Sequence, residues 1–331
     1  MRVLSFLAAC GYCLSVARGA PALPAAHDVV GRIQHRGVVR CGSVERPGLA
    51  QRLPNGPWGG LTVDVCRAIA AAVLSHPDRI EYHSYETPKD FDAVREARDD
   101  VYFLTGSEVS EQKLAGVVLP VATVFVESHA VAVPARSGAQ HVRDLSGNII
   151  CFLIGSSAER SLADYFDNLK LGYLRAPFSE TGEMDDAYNV GRCRAIAGEI
   201  TRLATIASPL DPHVKRVSSR ILPEQLAAFP VLAATGTTDA RWSSIVAWTV
   251  HTLVSAERPQ TRWYAGGARA MPIAASELGL DPEWQRRVLA AVGNYGEVFE
   301  RHLGKRSPLG LERGLNANQL HGGLILSPFL D

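Results

Sequence analysis

One stretch of the chain carries residue types that could hold a small charged molecule. A short apolar run, Ala195-Ile196-Ala197, ends in Gly198 and is followed by the carboxylate of Glu199 and then by a helical pattern. This order predicts a strand that presents an acid where a helix begins. Ligands of open α/β sheets bind beyond the carboxyl ends of the strands, so Glu199 is a candidate ligand residue. An ordinary solvated glutamate is the alternative.

A second candidate lies where another predicted strand gives way to a helix. The run Ile149-Ile-Cys-Phe-Leu-Ile154 indicates a buried strand that Gly155 ends. Ser156, with Glu159 three residues later, matches the capping box of a helix start. Helix starts favour anions, so Ser156 and Ser157 are candidate ligand residues. For Ser156 a plain capping role is the alternative.

The N-terminus predicts a targeting signal. Arg2 is followed by an apolar stretch over 3–16 and by small residues up to Ala22. The apolar stretch is too short to span a bilayer. We therefore expect residues 1–22 to be a signal peptide, cleaved near Gly19 to Ala22, and the remaining chain to be exported to the periplasm. The sequence Leu7-Ala-Ala-Cys10 also resembles a lipoprotein box, which leaves a lipid anchor as the alternative.

Four cysteines remain after the predicted signal: Cys41, Cys66, Cys151 and Cys193. An even number of cysteines in an exported chain favours disulfides, and four allow three pairings. Chain order favours Cys41–Cys66 and Cys151–Cys193, because each pair then lies inside one predicted lobe. Four buried thiols are the alternative. No cysteine or histidine pair stands at zinc-ligand spacing, and we expect neither a metal nor a cofactor.

Charge and composition exclude several classes of protein. The 34 basic residues balance 34 acidic ones, which removes the electrostatic case for a nucleic-acid or anionic-membrane partner. Hydrophobic residues make up 47% and charged residues 21%, as in soluble globular proteins. A chain of 331 residues is long enough for two domains.

The elements that must position these residues form two α/β lobes. Strands and helices alternate over 37–104 and again over 148–207, which is typical of parallel sheets with covering helices. The apolar stretch 117–133 has a polar break at Glu127-Ser-His129, which predicts two strands. We expect the first lobe to comprise 23–134 and 230–331, with a helical C-terminal extension. The second lobe then comprises 135–229, and the ligand cleft lies between the lobes.

With these elements in order, the chain resembles the periplasmic solute-binding proteins of family 3, the receptors of polar amino-acid ABC transporters. The likeness is greatest to the general L-amino-acid-binding branch. The motifs that carry it are Cys41-Gly, Trp58-Gly-Gly-Leu-Thr-Val-Asp64-Val-Cys66-Arg-Ala, Ala187-Tyr-Asn-Val-Gly191-Arg-Cys193, Ile221-Leu-Pro-Glu224, Val292-Gly-Asn-Tyr-Gly-Glu297-Val-Phe-Glu300, Arg313-Gly-Leu-Asn316 and Gly322-Gly-Leu324. The resemblance implies an α/β, two-lobed periplasmic-binding-protein fold of type II. Each lobe would be a mixed β-sheet flanked by helices.

The resemblance also implies how the protein works. It would close on an amino acid or related small polar solute and deliver it to the membrane permease of an ABC transporter, acting as a monomer. Transport, and not catalysis, would be its function.

The residues that bind the ligand in this family are only partly matched in this chain. In the family, a hydroxyl-rich strand end and an arginine hold the ligand carboxylate, a Gly-Thr-Thr helix start assists, and an aspartate takes the amino group. Gly155-Ser156-Ser157 matches the helix start, and Glu199 stands at the aspartate. In the first lobe, Thr105 and Ser107 fall in the hydroxyl-rich run, but Gln112 replaces the arginine, with Lys113 beside it. The neutral amide of Gln112 cannot form the paired, charged hydrogen bonds that an arginine makes to a carboxylate. The sequence therefore leaves open whether the ligand carries a carboxylate.

Two rival interpretations stay open. A diverged binding protein could serve as a sensor or as an accessory to another exported protein. Some dehydratases, of the cyclohexadienyl type, share this fold and use an acid in the cleft, a role open to Glu199 or Glu108. Ser110-Glu-Gln-Lys113 and Ser146-Gly-Asn148 match two elements of penicillin-binding enzymes, but the third, Lys-Thr-Gly, is absent.

Overall fold

The computed structural model describes residues 28–54, 56–86, 92–106, 116, 118–208, 216–257 and 275–328. The predicted signal peptide, Ser107 and Gln112 lie outside these ranges. Among the described helices, none combines the length and the apolar character that a membrane crossing requires.

Strands and helices alternate through most of the described chain. The strands are β1 (Val39–Val44), β2 (Gln51–Arg52), β3 (Trp58–Gly59), β4 (Ile80–Tyr85), β5 (Val101–Thr105), β6 (Val118–Pro134), β7 (Ile149–Leu153), β8 (Leu174–Phe178), β9 (Ala195–Glu199), β10 (Ser219–Ile221) and β11 (Ala227–Gly236). The helices are α1 (Val29–Arg36), α2 (Leu61–Leu74), α3 (Asp92–Arg95), α4 (Ser157–Asn168), α5 (Thr181–Asn189), α6 (Ile200–Ala207), α7 (Ala240–Ser255), α8 (Ala275–Leu278), α9 (Trp284–Val292) and α10 (Tyr295–His302). Three 3-10 turns cover Val142–Leu145, Gly314–Asn316 and Gln319–His321.

Nine of these strands form one mixed sheet with the order β4-β1-β5-β11-β6-β9-β7-β8, and β10 pairs with β6. Strands β4, β1 and β5 are parallel and form the sheet of the first lobe. Strands β9, β7 and β8 are parallel and form the sheet of the second lobe. The antiparallel strands β6 and β11 join the two halves, and we call them the hinge strands.

The predicted break at Glu127-Ser-His129 is wrong, because β6 runs without interruption from Val118 to Pro134. What changes at this point is the strand's partner. Residues 118–129 pair with β11, residues 129–132 pair with β9, and residues 132–134 pair with β10. The polar residues therefore mark the place where the pairing partner changes along one continuous strand.

Each lobe has its own apolar core. The larger core gathers α2, α7, α9 and α10 around β1 and β5, with Trp242 and Trp284 each 1% exposed. Two smaller clusters cover the two faces of the second-lobe sheet. Helix α2 is buried around almost its whole circumference, because its residues are apolar or small on every side. Such a helix must lie inside a layered fold, not on its surface.

Both cysteine pairings predicted from chain order are present. Cys41 on β1 is bonded to Cys66 on α2, with the Cα atoms 6.3 Å apart. Cys151 on β7 is bonded to Cys193, just before β9, with the Cα atoms 5.7 Å apart. Each disulfide joins the middle strand of one parallel group to a neighbouring part of the same lobe.

The C-terminal segment over 309–327, which we call the strap, lies along the first lobe and one hinge strand. Arg313 donates to both carboxylate oxygens of Glu257, at 2.8 and 3.0 Å. The side chain of Asn316 accepts from the Val126 amide at 2.7 Å and donates to the Val126 carbonyl at 2.9 Å. Asn316 therefore takes the place of a neighbouring strand on the part of β6 that β9 does not reach.

Candidate functional site

The carboxyl ends of the two parallel groups of strands face each other across the hinge. Thr105 ends β5 and lies opposite Val231 of β11, which in turn pairs with Phe125 of β6. Glu199 ends β9 and lies opposite His129 of β6. The interval from Phe125 to His129 is four residues, about 13 Å of extended strand. Residues 126–128 thus form the floor of a gap between the two sets of strand ends, where ligands of open α/β sheets bind.

Glu199 lies on the second-lobe side of this gap and is half-buried. It is the N-cap residue of α6, yet its side chain makes no capping hydrogen bond. The carboxylate is therefore not committed to the helix that it precedes. Its negative charge also acts on two residues of β6, because it raises the pKa of both Glu127 and His129.

His129 joins the floor of the gap to the start of α4. Its Nδ1 lies 2.9 Å from Ser161 Oγ and its Nε2 lies 3.2 Å from Ser157 Oγ. The ring also packs on Phe229 of β11, with the centroids 4.7 Å apart. Burial lowers the pKa of His129, and the nearby charge of Glu199 opposes this effect. His129 is therefore a neutral ring at neutral pH, held in place by two serine hydroxyls.

Ser156 caps α4 as its sequence predicts. Its Oγ accepts from the Glu159 amide at 3.1 Å and donates to the Leu153 carbonyl at 2.7 Å. The reciprocal half of the capping box is shifted by one residue, because Glu159 accepts from the Gly155 amide and not from Ser156. The Ser156 hydroxyl is therefore occupied by the protein. A ligand role for Ser156 remains a prediction.

Glu127 lies at the centre of the floor and is 1% exposed. Its carboxylate accepts from Thr201 Oγ1 at 2.6 Å, from the Ser128 amide at 3.0 Å and from the Thr201 amide at 3.4 Å. Burial raises the pKa of Glu127 to about 7, and the Thr201 hydroxyl and the charge of Arg46 act against that rise. A buried carboxyl with a pKa near neutrality is the kind of group found at functional sites.

The first-lobe side of the gap holds a small cavity of about 10 Å³ that opens to solvent. Thr105 and Arg46 line it, together with Ser43 and Thr62. The hydroxyls of Ser43 and Thr62 both bond to the Tyr82 hydroxyl, at 3.0 and 2.7 Å, so they form a fixed wall. Arg46 brings positive charge to this side, since it lowers the pKa of both Glu127 and His129.

The structure therefore assembles part of the predicted site and adds to it. Glu199 pairs with His129 across the two strands, Ser157 hydrogen-bonds to the His129 ring, and Thr105 lies across the gap. Sequence reasoning missed the three residues Arg46, Glu127 and His129. The signal for the last two was the polar break in an apolar stretch. Among the described residues, no group of three or more His, Cys, Asp or Glu side chains could hold a metal ion.

No protein-family model matches the chain. It is similar to the general L-amino acid-binding periplasmic protein AapJ of Rhizobium johnstonii, at 30% identity over 95% of this chain and 98% of that protein. It is 29% identical to the glutamate/glutamine/aspartate/asparagine-binding protein BztA of Rhodobacter capsulatus, over 89% of this chain and 91% of that protein. A solved periplasmic binding protein of an ABC transporter from Brucella ovis, with glutathione bound, superposes with a TM-score of 0.73 at 28% identity. That match covers 90% of this chain and 97% of the other.

These relatives are named as binding proteins and not as enzymes, in agreement with the expectation of a transport protein. The superposition on the solved Brucella ovis binding protein also confirms the predicted two-lobed α/β fold. The chain belongs to the periplasmic amino-acid-binding proteins of ABC transporters.

Proposed function

We propose that this protein captures a small polar solute that carries an ammonium group, such as an amino acid, and delivers it to the permease of an ABC transporter. The observation that carries this proposal is the position of Glu199. Glu199 lies at the end of a strand that reaches the gap between the lobes, and its carboxylate is not used to cap α6. An ammonium group held there forms a charge-assisted hydrogen bond, which is about twice as strong as a neutral one.

The positive charge of Arg46 supports a solute that also carries a carboxylate. The family arginine is replaced by Gln112, but Arg46 lines the first-lobe cavity together with Thr105. Guanidinium groups bind carboxylates through two parallel hydrogen bonds. The named ligands of relatives fit this chemistry: BztA is named for four amino acids, and the Brucella protein was solved with glutathione.

The finer points of the proposal concern the mature protein. We propose that it is a monomer, that cleavage occurs near Gly19 to Ala22, and that the lobes divide at 134/135 and 229/230. Intact mass of the periplasmic protein tests the cleavage site, and light scattering during size-exclusion chromatography tests the monomer. Limited proteolysis at the hinge tests the division.

Thermal unfolding against a panel of amino acids, glutathione, amines and sugars tests the main proposal. A solute at a hundred times its Kd stabilises the folded state by about 2.7 kcal/mol, which corresponds to several degrees in Tm. Glu199→Gln removes the charge but keeps the size of the side chain. We expect this change to weaken binding about 30-fold, since a hydrogen bond to a charged group contributes about 2 kcal/mol.

Glu180→Gln is the matched control. Glu180 is also a helix N-cap residue with no side-chain capping bond, and it follows β8, two strands away from β9 in the sheet. This variant should bind as the wild type does. If no solute raises Tm while a second exported protein co-purifies, the transport proposal fails in favour of an accessory role. Equal losses of affinity in both variants would show that Glu199 is not part of the ligand site.

A further inference from the structure

The Glu127 side chain on β6 is hydrogen-bonded to α6, the helix that begins directly after Glu199 of β9. Helix α6 begins at Ile200, and the first-turn residue Thr201 gives both its hydroxyl and its amide to the Glu127 carboxylate, at 2.6 and 3.4 Å. Glu127 therefore does for α6 what the N-cap side chain does for most helices. Because the hinge strand supplies this acceptor, the N-cap residue Glu199 does not have to.

The neighbouring residue on β6 is anchored to the other lobe. Asn316 of the strap pairs with both backbone groups of Val126, and the strap is itself held by the ion pair between Arg313 and Glu257. Val126 is thus fixed to the first lobe and Glu127 to the second. Two consecutive residues of the hinge strand are therefore held by different lobes, and the Glu127 carboxyl is the link on the second-lobe side.

Two charged residues act on Glu127 from different elements of the fold. Glu199 acts from the start of α6 and raises the pKa of Glu127, whereas Arg46 acts from the loop after β1 and lowers it. His129 lies two residues along the same strand and is neutral at neutral pH. From β11 the facing residue is Phe229, which has no charge. The charge on Glu199 is therefore the anionic influence that favours a proton on Glu127.

We propose that Glu127 is the positioning residue for Glu199, and that a cation bound at Glu199 drives the release of a proton from Glu127. This inference rests on the proposed binding of an ammonium group at Glu199. A bound cation cancels the negative charge of Glu199, so the ionised form of Glu127 becomes more favourable. The carboxyl proton passes to solvent, and the ionised carboxylate keeps its hydrogen bonds from Thr201 and Ser128.

The sign of the resulting pH dependence follows from linkage. Glu127 binds its proton more weakly in the complex than in the free protein, so affinity increases with pH between the two pKa values. The free value is about 7. If binding lowers it by one unit, affinity rises about tenfold in total across that window. A protein without this linkage would show no such rise between pH 6 and 8.

The coupling can be measured without knowing the solute. Carboxyl-carbon NMR of protein labelled at glutamate gives the titration midpoint of each side chain, and the Glu127 signal is the one that disappears in both Glu127→Gln and Glu127→Asp. In wild type we expect this midpoint near 7. In Glu199→Gln, which mimics the neutralised anchor, it should fall by about half a unit or more. Glu180→Gln should leave it unchanged.

The positioning role has a separate readout in the hydrogen exchange of the Thr201 amide. Glu127→Ala should accelerate this exchange at least tenfold, whereas Glu127→Gln, which keeps an acceptor oxygen, should restore protection. Circular dichroism confirms that each variant is folded. A wild-type midpoint below 5, a midpoint that does not move in Glu199→Gln, or unchanged Thr201 exchange in Glu127→Ala would each overturn the inference. Failure of every solute to bind would instead refute the proposed function and leave these titrations unaffected.

Discussion

Asp64 offers a sharp test of how the first lobe is held together. The side chain is on α2 and is 4% exposed. It accepts hydrogen bonds from Arg67 at 2.8 Å, from Arg301 at 2.7 and 3.1 Å, and from His302 at 2.7 Å. Arg301 and His302 belong to α10, so one carboxylate joins the disulfide-bearing helix to a helix more than 200 residues later. Asp64→Asn keeps the shape and removes the charge.

We expect Asp64→Asn to lower the free energy of unfolding by about 3 kcal/mol. Breaking a fully buried ion pair costs about 3–5 kcal/mol, and the low end applies here because the Arg301 side chain is 45% exposed. For a cooperative unit of about 200 residues, this corresponds to a fall in Tm of about 6–12 °C. Asp78, which is exposed, provides the control: Asp78→Asn should change Tm by less than about 1 °C.

The same residue predicts a pH dependence. Burial by itself raises the pKa of Asp64, but hydrogen bonds from His302 and Arg67 and the charges of His302 and Arg301 hold it well below its ordinary value. A lowered folded-state pKa gives stability that is present above the unfolded-state value, about 3.9, and is lost as pH falls below it. The difference in Tm between wild type and Asp64→Asn should therefore be constant from pH 5 to 7 and shrink below about pH 4. A difference in the free energy of unfolding below about 0.5 kcal/mol at pH 7 would refute this reasoning, and so would a difference in Tm that persists at low pH.

Two further predictions concern stability. Asn316→Ala leaves both backbone groups of Val126 without the Asn316 partner and should cost about 3 kcal/mol in urea unfolding, whereas the exposed Asn168→Ala should cost almost nothing. Replacing Cys151 and Cys193 together by serine should cost about 4 kcal/mol, as expected for cross-linked positions 42 residues apart, and dithiothreitol should then have a smaller effect on the variant than on wild type. A double variant as stable as wild type would show that this disulfide does not restrain the unfolded chain.

Local patterns predicted the parts of the site that depend on a single strand or helix. The apolar run before Gly198 placed Glu199 at the end of β9, and the capping box placed Ser156 at the start of α4. Both features are formed by residues within about five positions of each other. The disulfide pairing could also be predicted from the sequence, because assigning each cysteine to a lobe favours one of the three possible pairings.

The residues that escaped prediction come together only through the hinge. Glu127 meets Thr201 at a separation of 74 residues, and Arg46 reaches the same floor from the loop after β1. A polar interruption in an apolar run carries no information about which distant element will satisfy it. It therefore predicts a break between strands, whereas in the structure it marks a change of partner within one strand.

Some family motifs proved to be structural. Arg313 and Asn316 belong to a motif that identifies the family, and the structure uses them to fasten the strap to Glu257 and to Val126. Asp64 belongs to another such motif and joins two helices of the first lobe. A motif shared with binding proteins therefore need not touch the solute. Only contacts in the folded chain separate the two roles.

A crystal structure of the protein with a bound amino acid tests the central claim most directly. The account predicts that the ammonium nitrogen lies within hydrogen-bonding distance of the Glu199 carboxylate, at about 2.7–3.2 Å, above the floor formed by residues 126–128. A solute that binds with its ammonium group directed away from Glu199, or outside the gap between the strand ends, would contradict it.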